Sequence, residues 1–323
     1  MKITVVGAGN VGTTCANEIA ISEIADELVL MDINENLTKG KALDLWQTSP
    51  ILSFDTKIVA ASDEYSKTLG SDVVVVTAGL PRKPGMSRDD LISTNAKIVK
   101  NVVENIVRFS PDAVLIIVSN PLDVMTYAAF LAADGLSSKK VFGMAGILDT
   151  ARYKSFIAEA LDISPKSIHA ILMGGHGDSM VPLPRYTTVS GIPIRELMPE
   201  KTLNDIIERT KKGGGELINL MGTSAWFAPG AAAAQMVEAV VKNQRRVFPV
   251  CAALNGEYGL NNLHLGVPVV LGKNGIEKVI ELKLNDEEMA LVRKSAKEVK
   301  SLMKVLDDMN IFDKKFAHLD PVE

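Results

Sequence analysis

Residues 2–12 read Lys2-Ile3-Thr4-Val5-Val6-Gly7-Ala8-Gly9-Asn10-Val11-Gly12, and this stretch decides the fold. The opening residues, rich in β-branched side chains, predict a strand, and Gly-x-Gly-x-x-Gly then leads into a predicted helix at 13–20. In such a turn the first glycine permits the tight bend and the second lets backbone approach a pyrophosphate. The third allows close helix–strand packing. The new helix offers unpaired N–H groups that favour an anion. Glycine spacing alone is a weak signal. An acid at the right distance strengthens it: Asp32 closes the second predicted strand, 20 residues past Gly12. Its carboxylate suits the ribose hydroxyls of an adenine dinucleotide and repels a 2′-phosphate, which predicts NAD over NADP.

Working outward, further β-branched runs lie at 28–31, 57–60, 73–77 and 114–119, with helically spaced stretches between several of them. Val99, Val102, Val103 and Ile106 recur at helical spacing before Pro111 forces a break. This alternation predicts an α/β fold whose N-terminal part is a doubly wound parallel sheet of the Rossmann type. Burial on both faces accounts for the unbroken apolar run before Thr77.

The second half reads as an α+β domain for substrate binding and catalysis. A helix is predicted over 148–161 and a strand over 168–173. Segments 267–271 and 276–282 flank Lys273-Asn274-Gly275 as a hairpin. A long last helix is capped by Asn285, with Glu288 completing a capping box. Its apolar stripe, Met289, Val292, Ala296, Val299 and Met303, reads as core packing without chemistry. The boundary falls at 143, giving domains 1–143 and 144–323.

A chain of 323 residues is too long for one ordinary core, in keeping with two domains. A net charge of -4 argues against nucleic acid as a partner. Two cysteines, Cys15 and Cys251, supply no disulfide framework, so a reducing, cytoplasmic location is expected. No apolar run approaches the roughly 20 residues of a bilayer span, and the N-terminus begins in a strand instead of a signal peptide. No membrane partner is expected.

Four histidines, His169, His176, His264 and His318, are candidates for proton transfer near neutral pH. His176 stands in Gly174-Gly175-His176-Gly177-Asp178, a glycine-rich turn that lets its ring reach a ligand. His169 falls inside the predicted strand and reads as a strand residue. In Leu148-Asp149-Thr150-Ala151-Arg152, helical spacing puts Asp149 and Arg152 on one face. They read either as a surface ion pair or as a carboxylate that orients a histidine beside an arginine that forks onto a substrate carboxylate. The stretch from Gly79 to Arg88, with Pro81, Arg82, Lys83, Pro84 and Gly85, reads as a stiff-segmented lid or a solvated basic loop. Ser119-Asn120-Pro121 sits at the carboxyl end of the fifth strand, as a ligand-facing element or a plain turn.

These elements, in this order, resemble the lactate/malate dehydrogenase family, and within it the lactate-dehydrogenase-like malate enzymes. The likeness spans essentially the whole chain, from GAGNVG at 7–12 through LDTAR at 148–152 to GGHGD at 174–178. It implies an oxidoreductase moving hydride between a CH–OH donor, malate, and NAD, with a place in the tricarboxylic acid cycle and no metal. It implies that His176 is the proton acceptor, Asp149 its orienting carboxylate, and Arg152 the grip on the substrate's C1 carboxylate. Arg88 would polarise the C2 oxygen, with Asn120 near the same centre. Gly7, Ala8, Gly9, Asn10, Val11, Gly12, Asp32, Asn95, Val118, Ser119 and Asn120 would hold NAD. Substrate choice would rest on Arg82, where lactate enzymes typically carry glutamine; its charge suits the second carboxylate of a dicarboxylate. Met144-Ala145-Gly146 also resembles the malate branch. The family's small substrate-lining residue falls near Thr223-Ser224-Ala225-Trp226, with the register open by one position. A homotetramer or homodimer is implied, with apolar helix 231–241 as a possible interface. The alternatives are a lactate or other 2-hydroxyacid dehydrogenase and, more distantly, a nucleotide-binding sensor without turnover, which would need no His176, Asp149 or Arg152.

Overall fold

The valines 73–76 are fully buried because their strand lies mid-sheet with helices on both faces. The computed structural model describes residues 1–81 and 86–313. In the first half β1 (Lys2–Val6), α1 (Asn10–Ile21), β2 (Glu27–Met31), α2 (Glu35–Gln47), α3 (Ser49–Leu52), β3 (Lys57–Ala61) and β4 (Val73–Val76) follow one another. α4 (Arg88–Phe109), β5 (Val114–Ile117), α5 (Leu122–Ala132) and β6 (Val141–Gly143) complete it. The strands pair in parallel in the order β3-β2-β1-β4-β5-β6. Val5 lies opposite Leu30 on one side and Val75 on the other. Strand order reverses between β1 and β4, and that is where a doubly wound sheet opens a ligand crevice at its carboxyl ends.

The second half comprises α6 (Gly146–Leu161), β7 (Ile168–His169), β8 (Leu172–Gly174), β9 (Met180–Pro182), β10 (Thr188–Val189), β11 (Ile192–Pro193) and α7 (Ile194–Leu197). After these come α8 (Glu200–Met221), α9 (Phe227–Val241), β12 (Arg246–Asn255), β13 (Asn261–Gly272), β14 (Gly275–Val279) and α10 (Asp286–Asp308). β12 adds antiparallel to β6 through Cys251 and Gly143, so among the described residues one sheet of 11 strands runs through both halves. Asn285 and Glu288 cap α10 reciprocally, as their spacing predicts. Arg185 adds a bidentate pair to Glu288 at 2.7 and 2.8 Å, which pins that helix start to the body.

Three sequence expectations need correction. The helix after the glycine turn begins at Asn10 and not at residue 13, because Val11 and Gly12 already lie in its first turn. The strand expected over 168–173 is two strands: β7 pairs with β10 in a small sheet, whereas β8 joins the large one. The break falls where the Leu172 N–H turns to the Thr150 hydroxyl at 3.2 Å. The apolar face at 231–241 is also not a free surface. Ala233, Met236, Val237 and Ala239 are fully buried in the chain's own core, and Gly230 lies flush against Thr14 of α1. Exposed apolar side chains sit elsewhere, at Trp46, Ile51, Leu220 and Phe227.

His264 is fully buried on β13 between the rings of Tyr127 and Phe130, with centroids at 5.7 and 5.5 Å. Burial pushes its imidazole down to about 3. The unfolded chain therefore binds a proton below about pH 6.5 that the folded chain refuses. Stability from this site is complete above that value and is lost as pH falls from it toward 3. Between pH 7 and pH 5 the loss amounts to about 2 kcal/mol. Urea titration at both pH values should show that the His264→Phe variant lacks this part of the decline; an equal decline in both proteins refutes the assignment.

Candidate active site

The glycine turn is built as a cradle. Gly7 has φ +107°, and a Cβ on Gly12 would stand 1.8 Å from the Gly7 carbonyl oxygen. Both positions therefore exclude a side chain. A Cβ on Gly9, by contrast, would meet nothing within 4 Å, so space is open on the outer side of the loop. Among the described residues α1 has no side-chain cap and no acid in its first turn, which leaves its first N–H groups for an anion. Asp32 folds onto this turn: Oδ2 accepts from the Ala8 N–H at 2.7 Å and Oδ1 from the Asn34 N–H at 3.1 Å. A carboxylate has about four acceptor positions, so two remain for ribose hydroxyls. The residues fit an adenine dinucleotide with an unphosphorylated ribose.

Around the ends of β4 and β5 the sequence-selected residues interlock. The Ser119 hydroxyl donates to the Ala78 carbonyl at 2.6 Å. Val118 and Ser119 are buried, and Asn120 lines a cavity. Asn95 is buried on α4, and its amide is committed to backbone. Oδ1 accepts from the Leu80 N–H at 2.8 Å, while Nδ2 donates to the carbonyls of Leu80 and Asn120 at 3.1 and 2.7 Å. Asn95 thus clasps the segment after β4 to the segment after β5, and both amide hydrogens are used.

The second constellation joins α6 to the turn after β8. Asp149 is 2% exposed, and its two oxygens serve different partners. Oδ2 meets His176 Nδ1 at 2.9 Å, and Oδ1 accepts from Arg152 Nη1 at 3.4 Å. An ionised carboxylate only accepts, so the imidazole hydrogen sits on Nδ1 and Nε2 is left to take a proton. Burial of the ring opposes the imidazolium, but Asp149 and, at longer range, Asp123 outweigh that and hold the His176 pKa above its usual value. Arg152 is largely buried beneath α8, whose Gly213 leaves room for its side chain. Its Nε has no hydrogen-bond partner among the described residues. The surface-pair reading of Asp149 and Arg152 therefore fails on burial.

A cavity of about 310 Å³ lies beside this group, lined among others by Arg88, Asn120, Asp123, His176, Ser179 and Glu298. Arg88 is the first residue of α4, behind a Ser87–Asp90 capping box that fixes the helix start. The structure thus brings Arg88, Asn120 and His176 to one cavity; Asp149 is bonded to the ring and Arg152 to Asp149, and neither is among the residues that line it. Arg82 and His318 lie outside the described residues. His169 is exposed on β7 opposite Thr188, as a strand residue should be. Residues 223–226 link α8 to α9 and are not among those lining the cavity.

Sequence reasoning missed two supports of the histidine turn. Asp123 accepts from the His176 N–H at 2.9 Å, and the Ser295 hydroxyl accepts from the Gly175 N–H at 2.8 Å. A side chain on Gly175 would collide with Ser179 and Val299. The long last helix, read from sequence as core packing alone, also supplies Glu298, Ser301 and Leu302 to the cavity wall. Nothing in its 3.6-residue pattern distinguishes a wall from a core.

The arrangement of a Rossmann cradle followed by a carboxylate-held histidine agrees with comparison to known families. The family model for the lactate/malate dehydrogenase NAD binding domain matches residues 1–143. The model for the lactate/malate dehydrogenase alpha/beta C-terminal domain matches residues 147–309. The chain belongs to the lactate/malate dehydrogenase family. NAD is accordingly the cofactor. Among lactate/malate dehydrogenase family members, the malate dehydrogenase of Cytophaga hutchinsonii is 63% identical over 309 residues, 96% of this chain and 99% of that one. The structure of malate dehydrogenase from Salinibacter ruber superposes with a TM-score of 0.92 at 51% identity, covering 96% and 98% of the two chains. A lactate dehydrogenase from Eimeria maxima, solved with NADH and oxamate, superposes at 0.91 with 39% identity over 96% and 95%. Both activities occur on this family's fold, so substrate choice lies in individual residues.

Proposed function

We propose that this chain is an NAD-dependent malate dehydrogenase interconverting (S)-malate and oxaloacetate. The observation that carries the chemistry is the buried Asp149 carboxylate held against His176 Nδ1 at 2.9 Å, at the edge of a cavity that also receives Arg88 and Asn120. Residues 1–143 carry the cofactor, and 144–323 supply the substrate grip and the proton acceptor. Gly7, Ala8, Gly9, Asn10, Val11 and Gly12 cradle the pyrophosphate, and Asp32 holds the ribose. Val118, Ser119 and Asn120 hold NAD at the end of β5, and Asn95 helps by its clasp. The bound nicotinamide supplies the hydride chemistry.

In malate oxidation His176 Nε2 accepts the C2 hydroxyl proton, and Asp149 stabilises the imidazolium. Arg88 meets charge developing on the C2 oxygen, with Asn120 donating nearby. Arg152 forks onto the C1 carboxylate through two parallel hydrogen bonds. Arg82 pairs with the second carboxylate, which selects a dicarboxylate over pyruvate or lactate. Relatives named malate dehydrogenase at 63% and 54% identity support this substrate class. A homodimer or homotetramer is the assembly that membership of this family implies. Among the described residues no helix is long and apolar enough to cross a membrane, and cytoplasmic residence with a step in the tricarboxylic acid cycle is in keeping with the substrate.

The Arg82→Gln variant tests the specificity reading. Removing the cation that would pair with the second carboxylate should lower the ratio of kcat/KM for oxaloacetate over pyruvate by about a hundredfold. An unchanged ratio removes Arg82 from this role.

A further inference from the structure

His176 is held by two carboxylates, not one. Asp149 takes the ring, whereas Asp123 of α5 takes the backbone N–H through Oδ2 at 2.9 Å. Asp123 is 7% exposed, and its other oxygen is buried with no N–H or O–H partner among the described residues. Anchoring one backbone N–H needs only a neutral acceptor, and an asparagine of the same shape provides one. Keeping an ionisable carboxyl here costs desolvation, and burial indeed raises its pKa. The charge must therefore act on something nearby.

The surrounding groups narrow the choice. Behind Asp123, the Cys251 thiol of β12 hydrogen-bonds to the carboxylate and is pushed well up by burial and by Asp123 itself, so it stays protonated and adds no charge. From α6, Asp149 bonds the ring and Arg152 bonds Asp149; Arg88 of α4 and Glu298 of α10 line the same cavity as His176, and Asp178 on the histidine's own turn is exposed. Arg152 is already engaged by Asp149. The positive charge that comes and goes beside Asp123 is that of the His176 imidazolium. We infer that Asp123 is a positioning residue that also acts by charge. Its negative charge, added to that of Asp149, sets how readily His176 keeps the proton taken from the substrate. This rests on His176 as proton acceptor, as proposed above.

The test is the pH dependence of kcat/KM for the Asp123→Asn variant in both reaction directions. Asparagine still accepts the His176 N–H but removes the charge. A unit charge several ångströms away at an effective dielectric of about 20–40 shifts a titration by about one pH unit. The acid limb of malate oxidation, which needs neutral imidazole, should move about one unit lower. The basic limb of oxaloacetate reduction, which needs imidazolium, should fall equally, so oxidation gains at pH 6 while reduction loses at pH 8.5. Unmoved limbs with reduced amplitude mean a purely structural anchor and overturn the inference. Should this variant not fold, Asp123→Ser, which also lacks the charge, is read by ring-nitrogen NMR: a His176 titration about one unit below that of the wild-type enzyme supports the inference, and an unmoved one overturns it. His176→Asn separates the two readings. If that variant still turns over, the proton-acceptor assignment itself fails; if it is inactive while Asp123→Asn shows no shift, only the present inference fails.

Discussion

Replacing His176 with asparagine should leave the affinity for NADH near that of wild type and lower turnover about a thousandfold. The cradle that holds the dinucleotide, from Gly7 to Asp32, lies apart from the turn after β8 and shares no hydrogen bond with His176 among the described residues. The loss is confined to proton transfer: asparagine keeps the N–H bonded to Asp123 but offers no basic nitrogen at the Nε2 position. Fluorescence titration of NADH gives the affinity, and steady-state absorbance gives turnover. A variant that keeps more than a tenth of wild-type kcat removes His176 from the chemistry.

The second large effect is expected at Arg152. Substitution by lysine keeps the charge yet removes the planar fork, so two parallel hydrogen bonds to the substrate carboxylate become one point contact. It also changes the partner of Asp149 Oδ1, now Arg152 Nη1 at 3.4 Å. Charge-assisted hydrogen bonds contribute about 1.5–3 kcal/mol each, so kcat/KM for oxaloacetate should fall about a hundredfold, mostly through KM. A KM within threefold of wild type would place the substrate carboxylate elsewhere. A comparable rise in the Kd for NADH would show that the helix, rather than the grip, had been damaged.

How much of the molecule is legible in its sequence depends on the range of the signal. The β1–turn–α1 unit is local: Gly7 and Gly12 are demanded by contacts within a few residues and with the neighbouring strand, and these leave their mark in sequence. The parallel sheet is legible for the same reason, since full burial converts directly into runs such as Val73–Val76. The pairing of Asp149 with Arg152 is visible as helical spacing, but its burial is not. Burial there comes from α8 crossing over Arg152, a contact some sixty residues away in sequence that no local pattern encodes. Asp123 and Ser295 escape notice for the same reason: each is an ordinary residue of its own helix and gains its role only when the histidine turn is brought against it. The division of the 168–173 segment between two sheets is likewise invisible, because a β-rich run does not say where its partners lie.

The most direct measurement is NADH oxidation by the wild-type enzyme with oxaloacetate and with pyruvate, compared as kcat/KM. Oxaloacetate should be preferred by at least about a hundredfold, the effect expected of an unpaired charge in a closed site. A preference for pyruvate would contradict the account of substrate choice while leaving the fold and the His176–Asp149 pair intact, and no turnover of either substrate with NADH still bound would contradict the enzyme itself.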